Sequence, residues 1–223
     1  MKLALFDLDH TLLPIDSDQS WGAFTVKLGW HDRDAYLQKN DEFYAHYQAG
    51  TLDIHDYVRF GAEAFCQRGP EAAAQAHMQF MREVVQPVIV PEALALVRKH
   101  RDAGDRVIII TATNEFVTRP IAQAFGVDEL IAVELVRDAK GWFTNEILGV
   151  PSLREGKVQR LQQWLTCEGL DWADVDTTFY SDSRNDLPLL ERVNHPVATN
   201  PDNTLRAVAL EKGWPILELF PKQ

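Results

Sequence analysis

Only two cysteines, Cys66 and Cys167, occur in 223 residues. They stand far apart and outside any Cys-x-x-Cys spacing, which argues against a disulfide framework or a thiolate zinc site. Both are expected to be buried as small apolar residues. Cationic residues are also scarce: 22 lysines and arginines against 33 aspartates and glutamates leave a formal net charge of −11. Such a field repels phosphate backbones and anionic lipids, so nonspecific binding to nucleic acid or membranes is not expected. No apolar run is long enough to span a bilayer, and no basic segment, apolar stretch and cleavage site precede the first strand-like residues. A cytoplasmic location is the expectation. Internal repeats and low-complexity tracts are absent as well. What is present is ordinary for a globular protein, with 46% hydrophobic and 25% charged residues. The length suits one domain with a sizeable insertion or two modest domains. Nothing in the sequence sets an oligomeric state.

The rhythm of the chain changes along its length. Lys2 to Phe6 reads as a short buried strand ending at Asp7. From Asp16 to about Gln86 the apolar residues follow helical spacing, and breaks at Gly29-Trp30-His31, Gly50-Thr51 and Gly69-Pro70 divide the stretch into about four helices. After Pro87, helices and strands alternate: a helix over 91–103, the strand "RVIIITAT", a helix over 116–124, the strand "LIAVEL" and a hairpin around "RDAKGWFTN". A helix near Leu153, the strand "DTTFYSD", a short helix over 187–191 and the strand "HPVAT" follow. This alternation predicts an α/β fold, a doubly wound parallel sheet with a helical cap inserted after the first strand. The expected division is 1–15 and 86–223 for the core and 16–85 for the cap.

Ligands of open α/β sheets bind beyond the carboxyl ends of the strands. Three strands here end in polar residues: Asp7 and Asp9, then Thr111 and Thr113, then Ser181 and Asp182. With Asp186 and Lys157 they make a constellation rich in carboxylates. Like charges 4 Å apart repel by about 4 kcal/mol at an effective dielectric near 20, so a cation is the natural remedy. Oxygen ligands without histidine or cysteine favour a hard ion, and Mg²⁺ leaves room for water and a phosphate. A carboxylate can attack phosphorus, a second can shuttle the proton of the leaving oxygen, and a hydroxyl and an ammonium can hold the remaining phosphate oxygens. Ser152-Leu153-Arg154-Glu155 reads as a capping box that sets Lys157 in an early helical turn.

"DLDHT" resembles the Asp-x-Asp-x-Thr signature of the haloacid dehalogenase-like phosphatases, and "ITAT", Lys157 and "YSDSRNDLPLL" match the later motifs in order. The resemblance implies that Asp7 is the nucleophile and Asp9 the general acid/base. It further implies that Asp7, the backbone carbonyl of Asp9 and Asp182 hold Mg²⁺ with support from Asp186, and that Thr111, Ala112, Thr113 and Lys157 meet the phosphate. The inserted helices look like the four-helix cap of the phosphoserine phosphatase branch, subfamily IB. There an acidic residue nine positions after the nucleophile and a cap arginine read the substrate's amino and carboxylate groups. Asp16 and Arg59 match those places, although the branch's usual acid is glutamate. "DSDQSWGAF" is similar to a subgroup of histidinol-phosphate phosphatases, so both substrates stay open. At the fourth motif Ser181-Asp182 stands where Gly-Asp is usual.

Each residue also has a plainer role open to it. Asp16 and Asp18 suit an N-cap and first-turn acid, Asp186 a helix N-terminus, Lys157 a solvated helix face, and Arg59 a surface ion pair. His10 suits a turn or the pocket edge, and His195 a strand start. The aromatic stripe of the insertion suits helix packing, with Trp21, Phe24 and Tyr57 also candidates to face the site. The expected function is hydrolysis of a small soluble phosphomonoester through a phosphoaspartate. The alternatives are phosphoryl transfer to an alcohol and a noncatalytic phosphoacceptor or binding domain, against which Asp9 and the cap both argue.

Overall fold

The computed structural model describes residues 1–49 and 51–220. Strand β1 (Lys2–Phe6) leads into an insertion of helices α1 (Ser17–Lys27), α2 (Arg33–Ala49) and α3 (Ile54–Phe80). Helix α3 is two helices joined at Gly69, where φ is 80° and ψ 172°, a conformation that glycine adopts without a Cβ penalty, with Pro70 opening the second half. The insertion therefore contains four helical segments, as the breaks predict. The break expected at Gly50-Thr51 falls partly on Gly50, outside the described residues, while Asp53 caps the next helix through the amides of His55 and Asp56. A π-helical turn (Met81–Val85) and a 3-10 turn (Gln86–Val88) return the chain to α4 (Pro91–Asp102).

Then follow β2 (Arg106–Asn114), α5 (Glu115–Ala124), β3 (Glu129–Val133), the hairpin β4 (Leu135–Arg137) and β5 (Phe143–Ile147), α6 (Glu155–Cys167), β6 (Asp176–Ser181), α7 (Leu187–Leu190), β7 (His195–Thr199), α8 (Asn203–Lys212) and β8 (Ile216–Leu217). The main sheet is parallel, in the order β3-β2-β1-β6-β7-β8, with β4 and β5 forming a separate antiparallel pair. Helix α8 and strand β8 extend the pattern beyond the elements read from sequence.

Period-two alternation divides the strands between two cores. Ala4, Phe6, Val107 and Ile109 face α4 and α5, whereas Leu3, Leu5, Ile108 and Ile110 face α6, α7 and α8. Each such fully buried Leu, Ile or Phe contributes about 1.5–3 kcal/mol. The first core continues without interruption into the insertion through Trp21, Phe24, Phe65 and Phe80. Trp21 packs edge-on against Phe80 and Phe116 at 5.3 and 5.5 Å, and Phe65 stacks on Phe116 at 4.1 Å. Trp21 and Phe24 thus serve packing. Helix α2 contributes little to this core, burying Tyr36 and Phe43.

The hairpin grips the insertion from the side, with the Trp142 indole donating to the Cys66 carbonyl at 3.2 Å. Cys66 is half-buried, its thiol pushed up to about 12 by burial. Cys167 is exposed at the end of α6, against expectation, because the apolar face of that helix is carried by Leu161 and Leu165. Among the described residues no helix is long and apolar enough to cross a membrane.

Candidate active site

The carboxyl ends of β1, β2 and β6 meet at one edge. Asp7 leaves β1 with its amide still donating to the Tyr180 carbonyl at 2.9 Å, so the ladder fixes its start. Residues two apart in an extended chain project the same way, which predicts touching carboxylates for Asp7 and Asp9. The strand ends at Phe6, however, and the two aspartates turn to different partners.

Asp7 is 7% exposed and faces Lys157, itself 2% exposed, whose Nζ reaches Asp7 Oδ1 and Asp186 Oδ2 at 2.7 Å each. Ser181 Oγ donates to the same Asp186 oxygen at 2.7 Å. The third partner is Thr11, whose hydroxyl lies 3.3 Å from Asp7 Oδ2 and 3.2 Å from Asp182 Oδ1 and accepts the Asp182 amide at 3.0 Å. Thr11 was not among the expected site residues, although its place as the closing residue of Asp-x-Asp-x-Thr is the signal that marks it. Asp182 is held well above the usual carboxylate range by burial and then by the charges of Asp7 and Asp186. Asp186 rises to about 6, because burial outweighs the nearby Lys157 ammonium. Burial opposes the charge on Lys157, but Asp186 and Asp7 overcome it and raise its pKa.

Asp9 occupies a separate compartment. Its Oδ1 accepts the Ser17 amide at 2.8 Å and its Oδ2 the Thr113 hydroxyl at 2.9 Å. Burial, then the charge of Asp16, raise it to about 6 against these hydrogen bonds. Asp16 is the N-cap of α1, taking the Gln19 amide at 2.9 Å, and Asp18 sits in the first turn. Both also line this compartment: Asp18 rises to about 6 through burial and the charge of Asp9, and Asp16 is raised by burial and by Asp18. Burial, then the charges of Asp18 and Asp16, raise the Tyr57 hydroxyl well above its usual range, so Tyr57 lies beside this compartment, whereas Trp21 packs against Phe80 and Phe116.

The β2–β3 register shifts between Ile110 and Asn114, which frees Thr111 to Thr113 from that ladder at the site. Thr111 is buried, its hydroxyl accepting the Thr113 amide at 3.2 Å, and Ala112 is half-buried beside it. The expected capping box does not form. Ser152 Oγ instead donates to the Thr111 carbonyl at 2.5 Å, and Arg154, at φ 54°, is the N-cap residue without a side-chain cap. Lys157 nevertheless lies in the first turn of α6, because Gly156 lets the helix start against the Pro151 carbonyl, which a Cβ would approach to 2.0 Å.

Arg59 is not brought to the site. It is exposed on α3 and pairs with Asp56 at 3.0 Å and Glu146 of the hairpin at 3.1 Å. Its helical phase directs it to β5 rather than toward Asp9. His10 forms a turn with φ 58°, its carbonyl held by Asn200 Nδ2 at 3.0 Å, and His195 begins β7.

Residues 4–191 match the profile of the haloacid dehalogenase-like hydrolases. A protein of Neisseria meningitidis serogroup C (strain 8013) named histidinol-phosphatase is 43% identical over 97% of this chain and 98% of its own length. A crystal structure of a protein of unknown function from Bordetella pertussis Tohama I is 44% identical and superposes with a TM-score of 0.93 over 98% of this chain and 99% of that one. A substrate-bound phosphoserine phosphatase complex, 16% identical, shares the fold with a TM-score of 0.67 over 97% of this chain and 92% of that one. The motifs, the sheet and these similarities converge: this chain is an enzyme of the haloacid dehalogenase-like hydrolase family, in its phosphatase branch.

Proposed function

We propose that the protein is a Mg²⁺-dependent phosphatase that hydrolyses a small phosphomonoester through a phosphoaspartate on Asp7, with residues 16–85 as its cap. The observation that carries this reading is the split between the two aspartates: Asp7 is bound to Lys157 and paired with Asp182 through Thr11, while Asp9 is held apart by Ser17 and Thr113. One carboxylate is placed to attack and the other to move a proton.

Asp7, Asp182 and Asp186 carry three negative charges when ionised, against one ammonium on Lys157. Two of those carboxylates share a single hydroxyl, a donor set that suits a hard dication. Among the described residues no three Asp, Glu, His or Cys side chains converge as ligands. Asp7 and Asp182 would hold Mg²⁺ together with the Asp9 carbonyl, the set that the family resemblance implies, with further positions for water and phosphate. When bound, the ion neutralises charge on the phosphoryl oxygens.

The steps follow from the residues. An Asp7 oxygen attacks phosphorus and the P–O bond to the alcohol breaks, while Asp9 gives its proton to the departing oxygen. Asp9, now a carboxylate, takes a proton from water, whose oxygen attacks phosphorus, and the P–O bond to Asp7 breaks to release phosphate. Lys157, Thr111 and the groups around Ala112 and Thr113 bind the non-bridging oxygens, and Asp186 and Ser181 hold Lys157 in place. Phosphoserine and histidinol phosphate are the candidate substrates, the second supported by the name of the Neisseria relative.

Phosphate release from p-nitrophenyl phosphate and both candidates, with and without Mg²⁺, tests the reading. The expected result is Mg²⁺-dependent turnover that Asp7→Asn abolishes. A folded protein that turns over none of them, or an Asp7→Asn variant as active as wild type, would refute it. Product formation that depends on an added alcohol would favour a phosphotransferase.

A further inference from the structure

The loops that carry Asp7 and Asp182 leave different strands, and a third loop bonds to both. It is the turn Asn200, Pro201, Asp202 that follows β7. Asn200 Nδ2 donates to the His10 carbonyl at 3.0 Å and approaches the Thr11 carbonyl at 3.4 Å. The Asp202 amide donates to the Asp182 carbonyl at 2.8 Å, and Asp202 Oδ2 accepts the Arg184 amide, also at 2.8 Å. One short turn thus holds the backbone of both loops, whose side chains meet at the Thr11 hydroxyl.

The contacts fall where backbone placement sets the site. His10 has φ 58°, in the left-handed region that a non-glycine residue adopts at a cost, so its peptide needs a partner to stay there. It lies between Asp9, whose carbonyl would face the ion, and Thr11, whose hydroxyl joins Asp7 to Asp182. On the other loop, an acceptor on Asp182 and a donor on Arg184 are both pinned, which fixes the turn that presents the Asp182 carboxylate. The clamp is braced on its far side as well. Asn200, at φ 48°, donates its amide to the Leu217 carbonyl at 2.7 Å, and its Oδ1 accepts the Leu219 amide at 2.7 Å. Asp202 Oδ1 caps α8 through the Leu205 amide at 2.7 Å.

We infer that Asn200 and Asp202 are positioning residues that set the spacing of Asp7 and Asp182, and through it the affinity of the site for Mg²⁺. The inference rests on the hydrolase reading for the identity of the ion and its ligands. The residue types suit the role. Asparagine tolerates a left-handed turn while its side chain donates to one segment and accepts from another. Aspartate offers two acceptor oxygens where a helix cap needs one, and the second is spent on the Arg184 amide. Both residues act on the backbone of the two loops, not on the reacting atoms.

Two variants separate positioning from folding. Asn200→Gly keeps the left-handed backbone and removes the side-chain amide. Asp202→Ser keeps an N-cap for α8 and removes the oxygen that takes the Arg184 amide. The Mg²⁺ dissociation constant of the full chain, measured by calorimetry, is expected to rise about 10- to 100-fold in each, the range for groups that orient metal ligands. The Mg²⁺ concentration for half-maximal turnover of p-nitrophenyl phosphate should rise in parallel, with kcat largely restored at saturating Mg²⁺. A merely structural defect lowers kcat at every Mg²⁺ concentration instead. Unchanged Mg²⁺ affinity in either folded variant, or a kcat deficit that saturating Mg²⁺ does not restore, would overturn the inference; if one variant does not fold, the other decides. Mg²⁺-dependent turnover with unshifted variants sinks only the positioning role. Weakened Mg²⁺ binding in the variants of a protein that hydrolyses no ester sinks only the hydrolase, and a wild type that binds no Mg²⁺ overturns both.

Discussion

Replacing Lys157 with methionine keeps most of the aliphatic stem in place and removes the ammonium that touches Asp7 and Asp186 at 2.7 Å. The ammonium also lies 5.7 Å from the Phe179 ring, a minor loss beside the ion pairs. Removing one partner of a buried pair costs about 3–5 kcal/mol, since the charge left behind is neither hydrated nor compensated. With a urea slope of about 2–3 kcal/mol/M, the midpoint of unfolding should fall by about 1–2 M at pH 7 in EDTA. The pH dependence supplies a second check. The folded Lys157 pKa is raised above its ordinary value of 10.5, so its stabilisation is fully present below that value and is lost only at more alkaline pH. Between pH 5 and 8 any change in the gap between wild type and variant must come from carboxylates. Asp186 is raised from 3.8 to about 6 with Lys157 present, so its ionisation penalises the fold above that window and is relieved as pH falls through it. Without Lys157 the window moves up, and the gap should narrow on acidification from pH 8 to 5. A midpoint shift below about 0.3 M, or a gap that widens in acid, would show that the ammonium is not carrying the load assigned to it.

Other outcomes follow from the same geometry. With Asp9 raised to about 6, turnover of esters that need a protonated leaving oxygen should decline above that pH, whereas p-nitrophenyl phosphate should stay flat; parallel profiles for both would contradict the acid role. Gly156→Ala must push a Cβ against the Pro151 carbonyl, which it would meet at 2.0 Å, so the start of α6 and Lys157 should shift, with an overpacking cost of about 1–3 kcal/mol and a loss of kcat. A variant with unchanged melting and kcat would contradict this. Arg59→Ala should leave KM for every phosphate ester unchanged, since Arg59 faces the hairpin; a raised KM for phosphoserine would restore its assignment as a carboxylate reader.

Much of this was legible because the informative residues are constrained by backbone periodicity. Continuous apolar runs in Lys2–Phe6 and Arg106–Asn114, alternating along the chain with helices, indicate a parallel sheet, and sheet geometry then gathers the polar strand ends. Asp186 and Lys157 came together as expected because both follow tight, glycine- or serine-marked turns at that edge. What sequence did not reveal depends on rotation within elements. Arg59 lies on the α3 helix, and a helix position alone does not say which neighbour it faces; β5 takes it. The Ser152 capping box failed because the Thr111 carbonyl offered a buried acceptor in competition with the helix amides. Asp18 resembled an ordinary first-turn acid, and only the fold reveals that Asn114 Nδ2, at the end of β2, comes within 3.5 Å of it.

The position of β1 at the centre of the sheet governs how the molecule is made. Leu3 lies opposite Arg106 and Lys2 opposite Asp176, so this strand precedes both of its neighbours by a long stretch of chain. At ribosomal rates of about 5–20 residues per second, it waits roughly 10–35 s for its second partner. During that interval an apolar strand is unpaired, and the nascent chain holds Asp7 and Asp9 without Asp182, Asp186 or Lys157 around them. The inserted helices emerge first and can shelter Phe6 and Leu8 through the apolar core they share. Chemistry is thus a late property of the nascent protein, since no chain that stops short of Asp186 contains every residue of the site.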